Sequence, residues 1–265
     1  MTYYKRRVII LTSDSMRHKF FYSRLINEKS IKVEACFSEK TKSSKDSLYV
    51  DFDNIKSIHF NERARVEEDF FKDYVKDNFN PDMWHSIGRG DINKKEFIGK
   101  LKKINPDLIL CYGCSIISEN VIEEFRNKIL NVHLGLSPYY LGSATNFHPL
   151  VCEKPELIGY TLMYIDKGID TGRIIHQARP RINIYDNSHH VGCKIIKDMT
   201  ATYINLVKNF SKIEEKEQPS FENSIVCMRK DTTVETVNKM YLNLKNGMFL
   251  RYLKEKKRRD ALHPI

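Results

Sequence analysis

The chain has 265 residues, 41% of them hydrophobic and 29% charged, and a formal net charge of +10. That size and mixture describe one full core with a modest extension, not two large domains. No apolar run approaches the roughly 20 residues that cross a bilayer, so no membrane span is expected. A cytoplasmic location is expected, because Val8 to Leu11, behind the basic N-terminus, is too short for a signal-peptide core.

In chain order, Arg7 to Ser13 is a β-branched apolar run ending in polar residues, as a buried parallel strand entering a loop should be. Arg17 to Asn27 reads as a helix and Ile31 to Ser38 as a strand, which completes a strand–helix–strand unit. Residues 39–57 are polar and read as an irregular connection. Val66, Phe70, Phe71, Tyr74 and Val75 recur at helical spacing within Arg63 to Asn78, and Lys94 to Ile104 is a second helix. Pro106 to Gly113 is a strand, Glu119 to Asn127 a helix, and Ile129 to His133 a strand. Gly159 to Asp166 and Arg173 to Gln177 are strands joined by the tight loop Lys167 to Gly172, and His189–His190 opens a helix to about Lys208. A strand near Ser224 to Arg229 and helices from Val234 onward follow. The alternation predicts an α/β fold with a doubly wound, mostly parallel, Rossmann-like sheet over 1–210 and a short C-terminal extension over 211–265.

Such sheets bind ligands beyond the carboxyl ends of their strands. Asn131 and His133 end one strand with like parity, so their side chains share a face. Gly168 and Gly172 bracket Asp170, where a backbone turns sharply or approaches a ligand closely. Taken singly, a strand-end Asn or His is more often a satisfied loop residue, and an Asp between glycines a turn former.

The combination is more specific. Asn131-Val132-His133, Ser137-Pro138-Tyr139-Tyr140-Leu141-Gly142 and Asp166-x-Gly168-x-Asp170-Thr171-Gly172 resemble the signature of the folate-dependent formyltransferases. That family includes glycinamide ribonucleotide, methionyl-tRNA and sugar-nucleotide N-formyltransferases. The resemblance covers about residues 106–180 closely. It implies N10-formyltetrahydrofolate as the formyl donor, Asn131, His133 and Asp170 as the catalytic set, no metal, and a homodimer, to which the apolar segment Met240 to Leu253 could contribute. The residue types suit the chemistry. An amine attacking a formyl carbon builds negative charge on oxygen, which needs donors already aimed there. Asn131 supplies one, His133 donates and exchanges protons, and Asp170 orients the imidazole or takes the amine's proton through a water.

The same resemblance implies a pterin pocket from Tyr112, Gly113, Ile116, Ile117, Leu136, Ile165, Asp166 and Gly168. The loop after Tyr112 is one residue shorter than in familiar members and lacks their Met-Arg, Ser137 replaces a leucine, and Leu141 a basic residue. On the acceptor side, Thr12 to His18 joins a strand to a helix N-terminus, a place that binds phosphate readily. Ser13, Ser15, Arg17 and His18 are candidates there, with Tyr139 and Asn146 nearer the chemistry; Ser13 or Asp14 as a plain helix cap is the equal alternative. His189 and His190 are read as structural.

Six cysteines, at 36, 111, 114, 152, 193 and 227, lie in or beside apolar segments and are expected to be reduced. Cys111 and Cys114 lack a second pair at zinc spacing, so neither a metal nor a redox role is expected. The dense basic run Lys254 to Arg259 reads as a solvated helix end, while the charge excess favours a phosphorylated substrate or, weakly, a nucleic acid. The tail is short for a tRNA-gripping barrel and long for a glycinamide ribonucleotide enzyme. Ser143 to Pro149 and Arg229-Lys230-Asp231 look most like enzymes that formylate nucleotide-linked amino sugars for bacterial surface glycans. A nucleotide sugar is therefore the expected partner, with no nucleic acid. A methionyl-tRNA formyltransferase-like enzyme and a formyltetrahydrofolate hydrolase are the alternatives.

Overall fold

A computed structural model describes residues 5–40, 54–219 and 221–265; most of the polar connection expected over 39–57 lies outside these. The first half is β1 (Arg6–Ser13), α1 (Met16–Ile26), β2 (Ile31–Glu39), α2 (Ile55–Asn78), β3 (Trp84–Ile87), α3 (Lys95–Ile104) and β4 (Leu108–Tyr112). The second is α4 (Glu119–Glu124), β5 (Ile129–His133), β6 (Tyr140–Gly142), α5 (His148–Val151), β7 (Tyr160–Tyr164), β8 (Ile174–Ala178) and α6 (Ser188–Lys208). The tail adds β9 (Ile225–Cys227), α7 (Val234–Lys245) and α8 (Met248–Ala261).

Seven strands form one sheet in the order β3-β2-β1-β4-β5-β7-β8, parallel through β5 and antiparallel for β7 and β8. Strand parity divides its core. Val8 and Ile10 of β1 face the layer of α1, α2 and α6, whereas Ile9 and Leu11 face α3 and α4, through Phe97, Leu101 and Val121 among others. Burial on both faces explains the near-continuous apolar runs. In β5, Leu130 and Val132 belong to the first layer and Ile129 to the second. Asn131 and His133 continue the parity of Ile129 to the strand's carboxyl end, where a cavity opens.

The observed elements depart from the sequence reading most clearly in three places, besides the unexpected short helix α5 and the earlier end of α4 at Glu124. Helix α2 begins at Ile55, capped by the Asn54 side chain accepting from Lys56 N at 2.9 Å, well before the expected Arg63. Strand β3 was not anticipated, because Trp84–Ile87 is a short, half-exposed edge carrying His85 and Ser86. Strand β6 lies in a stretch that reads as a turn, and it pairs in parallel with β9 in a separate two-stranded sheet.

The tail is integral to the core. Val237, Met240, Met248, Phe249 and Tyr252 are buried, the last four in the same cluster as Phe21, Val66 and Tyr203. Each contributes roughly 1.5–3 kcal/mol by leaving water. The segment expected to pair subunits is thus largely committed to its own chain, leaving Leu242 and Leu250 as its exposed large apolar residues.

Candidate active site

At the carboxyl ends of β4 and β5 lies a cavity of about 820 Å³. Asn131, His133 and Asp170 all line it. His133 is 4% exposed, with Nδ1 3.1 Å from Asp170 Oδ2 and Nε2 2.9 Å from the carbonyl of Tyr140. A ring that donates to both acceptors at once is the imidazolium; the neutral ring serves one or the other, according to its tautomer. The Asn131 amide makes no hydrogen bond to another described residue and so remains available to a ligand.

Asp170 sits in the left-handed region at φ 55°, unfavourable for a residue with a Cβ, and is held there from both ends. Its Oδ2 also accepts the Gly142 N–H at 2.8 Å, and its carbonyl accepts the Gln218 amide at 2.8 Å and the Ser137 hydroxyl at 3.3 Å. Burial alone would raise its pKa, but the His133 charge, its hydrogen bond and the Gly142 N–H hold the carboxyl below the ordinary value. Asp170 is therefore a carboxylate at neutral pH.

Strand β6 clamps this pair. Its first residue gives Nε2 of His133 a carbonyl, and its last gives Asp170 an N–H. On its other edge Tyr140 to Gly142 are in register with Ile225 to Cys227 of the tail. A side chain at Gly142 would collide with the Cys227 carbonyl, and one at Gly135 with His133 Nε2 and Thr145 Oγ1.

Of the expected pterin-pocket residues, Tyr112, Gly113, Ile116, Ile117, Ile165, Asp166 and Gly168 line the cavity. Ile116 is 81% exposed at its mouth. Asp166 shapes its own loop, its Oδ1 accepting Gly168 N at 3.0 Å and the Thr171 hydroxyl at 2.8 Å. Leu136 is not on the wall; it is fully buried with Tyr139, Tyr140, Leu157 and Cys227.

The acceptor candidates divide more sharply. Arg17, His18 and Asn146 line the cavity, whereas Ser13, Ser15 and Tyr139 do not. Ser13 is buried with its hydroxyl toward the Glu39 carbonyl, and Ser15 offers α1 its carbonyl, which accepts from His18 N and Lys19 N. The Tyr139 hydroxyl donates to the Pro264 carbonyl at 2.9 Å. The Asn146 amide is engaged in both directions by the Gly159 backbone, at 2.9 and 2.7 Å. Arg17 is ion-paired to Glu67 at 2.6 Å.

Several wall residues escaped the sequence reading. His59, Arg63 and Glu67 follow one another at four-residue spacing on α2 and line the cavity together. A polar stripe beside the apolar face of Val66 and Phe70 could have revealed them had the helix been started earlier. His59 and His189 pack at a tilt, with ring centroids 4.6 Å apart, and share the Tyr241 hydroxyl at 3.1 and 3.3 Å. Burial, then Arg63, pushes His59 down to about 4; burial, then His59 and Arg63, pushes His189 to about 3. Of the pair read as structural, His190 is so, its Nδ1 and N–H closing a capping box with Asn187, but His189 is a wall residue. The Cys111 thiol is buried, and its hydrogen bond with Cys114, together with burial, raises its pKa well above the ordinary range.

Comparison with known proteins gives this arrangement a family. Methionyl-tRNA formyltransferase of Finegoldia magna is 32% identical over 146 residues, covering 51% of this chain and 44% of that protein. Its counterpart in Thermodesulfovibrio yellowstonii is 35% identical over 101 residues, covering 37% of this chain and 32% of that protein. The matches thus span less than half the length of these curated relatives. A 4-N formyltransferase from Francisella tularensis superposes with a TM-score of 0.59 at 16% identity, covering 90% of this chain and 87% of that one. Phosphoribosylglycinamide formyltransferase from Anaplasma phagocytophilum does so at 0.57 and 17% identity, covering 85% and 99%. Such structural likeness shows a shared fold. The family described as formyl transferase matches residues 16–207, well over half of the sequence, and the chain belongs to it.

Proposed function

We propose that the chain transfers the formyl group of N10-formyltetrahydrofolate to the amine of a nucleotide-linked amino sugar. The observation that carries the reading is the convergence of a free Asn131 amide with the clamped His133–Asp170 pair in one cavity of about 820 Å³. That volume lies at the upper end of ordinary ligand sites, and it suits two substrates meeting end to end. The apolar side chains of Ile116, Ile117 and Ile165, with the turn around Asp166 and Gly168, offer the donor's flat ring system a partly apolar wall. The donor supplies a formyl carbon bonded to a nitrogen that can depart.

The residues act as follows. The amine nitrogen forms a bond to the formyl carbon, and the bond to N10 breaks. Negative charge develops on the formyl oxygen, toward which Asn131 donates, with the His133 ring held beside it by Asp170 and the Tyr140 carbonyl. Asp170 uses only Oδ2 for His133 and Gly142, so Oδ1 accepts the proton shed by the attacking amine, directly or through a water. The same proton is then passed on from Asp170, through water, to N10 as it leaves, which returns the carboxylate to its starting state.

A second reading, with tRNA as acceptor, is favoured by the methionyl-tRNA formyltransferases among the relatives. The basic run of α8 gives it little help: Lys256 pairs with Asp260, Arg258 with Glu255 and Arg259 with Glu156, leaving Lys254 and Lys257 without an ion pair among the described residues. The test is to incubate the purified protein with N10-formyltetrahydrofolate and, separately, nucleotide-linked amino sugars or charged initiator tRNA. Mass spectrometry should find the mass of one carbonyl unit added to a sugar. Formylated tRNA alone would establish the second reading, and formate release without any acceptor would establish a hydrolase.

A further inference from the structure

The cavity wall away from Asp170 carries a charge that the protein does not neutralise. Arg17, Arg63 and Arg229 all line it, together with a single buried carboxylate, Glu67. Glu67 Oε1 is 2.6 Å from Arg17 and 3.8 Å from Arg63, so one negative charge is divided between two guanidinium groups. Arg229, on the turn after β9, has no ion pair among the described residues. Two acids on the same segments, Glu62 and Asp231, do not line the cavity: Glu62 holds Arg65 at 2.7 Å, and Asp231 Oδ2 accepts the Met228 N–H at 2.7 Å. The three histidines there, His18, His59 and His189, add no charge at neutral pH, because burial pushes each well down. Among the residues that line this stretch of wall, three cations face one anion.

Unused donors accompany that excess. The Tyr112 hydroxyl and His18 Nδ1 are buried without a hydrogen-bond partner, and their rings pack at a tilt of 53° with centroids 4.7 Å apart. Buried polar atoms left unpaired cost about 1–3 kcal/mol each, so a ligand that satisfied them would recover that cost. Arg63 is 45% exposed along its side chain, yet loss of water around its guanidinium first, and the charges of Arg17 and Arg229 after it, lower its pKa to about 10 against the pull of Glu67. Like-charge crowding of this kind is relieved by a dianion. Guanidinium forks match phosphate oxygens in geometry as well as in charge.

We infer that Arg63 and Arg229 hold the phosphate or diphosphate group of the formyl acceptor, and that the loop at 13–15 does not. The inference rests on the formyl-transfer reading for the word acceptor, but the anion site itself does not. The placement of side chains supports it: Ser13 is buried and Ser15 lies off the wall, while Arg17 is committed to Glu67 and serves mainly to turn the local balance positive. Arg229 belongs to the tail, beyond the segment 16–207 that matches the family, so the grip on the acceptor is a specificity device of this chain's own extension. From Cys227, in register with Gly142, the tail passes directly from the catalytic clamp to Arg229. A bound phosphate would therefore lie in the same cavity as the reacting amine.

The experiment uses the full chain and inorganic pyrophosphate as the probe, with calorimetric titration of the wild type, Arg63→Gln, Arg229→Gln and, as a control for general charge, Lys257→Gln on α8. Pyrophosphate should bind the wild type and Lys257→Gln alike, and each arginine variant about ten- to a hundredfold more weakly, as expected for losing a hydrogen-bonded charge of about 1.5–3 kcal/mol. Unchanged melting temperatures certify the folds, and Arg229→Gln, on an exposed turn, carries the test alone if Arg63→Gln does not fold. Failure of pyrophosphate to bind the wild type, or equal binding by all four proteins, would overturn the inference. Tetrahydrofolate binding, followed by fluorescence on the same samples, separates the two ideas. Its absence would count against the formyl-transfer reading while the pyrophosphate series still decides the anion site.

Discussion

Acid should weaken this fold through two histidines of the cavity wall. His59 is pushed from an ordinary value near 6.5 down to about 4, and His189 to about 3. Both stay neutral in the folded chain as the pH drops from 7 to 5, whereas the unfolded chain binds a proton at each. A lowered folded pKa on a base therefore gives stability that is full above about 6.5 and is lost progressively below it. At ~1.4 kcal/mol per pH unit, over the roughly 1.5 units between 6.5 and 5, each site costs about 2 kcal/mol. Two such losses are a large share of a typical stability of about 5–15 kcal/mol. Asp170 does not interfere: its carboxyl is held below its ordinary 3.8, so its contribution is full above about pH 4 and is lost only as the pH falls further. The perturbation is His59→Gln, which keeps a polar group beside the Tyr241 hydroxyl but cannot titrate. Urea unfolding at pH 7, 6 and 5, with the slope in denaturant checked for constancy, should show the variant losing about 2 kcal/mol less than the wild type over that range. Equal losses in the two proteins would refute the reasoning, because they would mean that His59 protonates as readily folded as unfolded.

Three further outcomes follow from the clamp and the tail. Asp170→Asn should lower kcat by about 10²–10⁴-fold with little change in the acceptor KM, measured by product formation under saturating donor; a rate near wild type would remove Asp170 from the chemistry. Gly135→Ala should cost far more activity than stability, since its Cβ would displace the His133 imidazole, and a melting curve beside a rate measurement compares the two. Gln218→Ala removes donors 2.8 Å from the carbonyls of Asp170 and Gly172, and should lower stability by about 1–3 kcal/mol in denaturant titration and slow turnover together.

Much of the fold was legible because strands buried on both faces announce themselves. Ile129–His133 is observed at the bounds its apolar run suggests, and Lys95–Ile104 within one residue of its expected start. The parity that places Asn131 and His133 on one face follows from the pleat alone. The edge strand Trp84–Ile87 was illegible because pairing with Cys36 to Glu39, rather than burial, defines it. Strand β6 was hidden for a similar reason: Tyr140 and Gly142 become strand residues through a partner at 225–227, a long-range pairing that leaves no local trace. The candidate site divided along the same line. Asn131 and His133, displayed at a strand end, are nameable in advance, whereas His59, Arg63 and Glu67 on α2 are not, because a polar stripe on a helix reads as a solvated face until the cavity is seen. Ser13 and Tyr139 look like ligand contacts by type but are occupied by the Glu39 and Pro264 carbonyls, and only tertiary structure reveals such engagements.

The two-stranded sheet of β6 and β9 has a consequence for how recognition and rate are related. Tyr140 and Gly142 hold His133 and Asp170 on one edge, while Ile225 to Cys227 on the other lead within two residues to Arg229. A ligand that tightens Arg229 also steadies the ladder on which the imidazole and carboxylate are hung. If Arg229 holds the acceptor's phosphate, binding energy from a part of the substrate that does not react would be converted into a lower barrier instead of mere occupancy. A small amine stripped of its phosphate should then turn over slowly even at saturation, so that fidelity is exercised at the transition state, after any amine has entered.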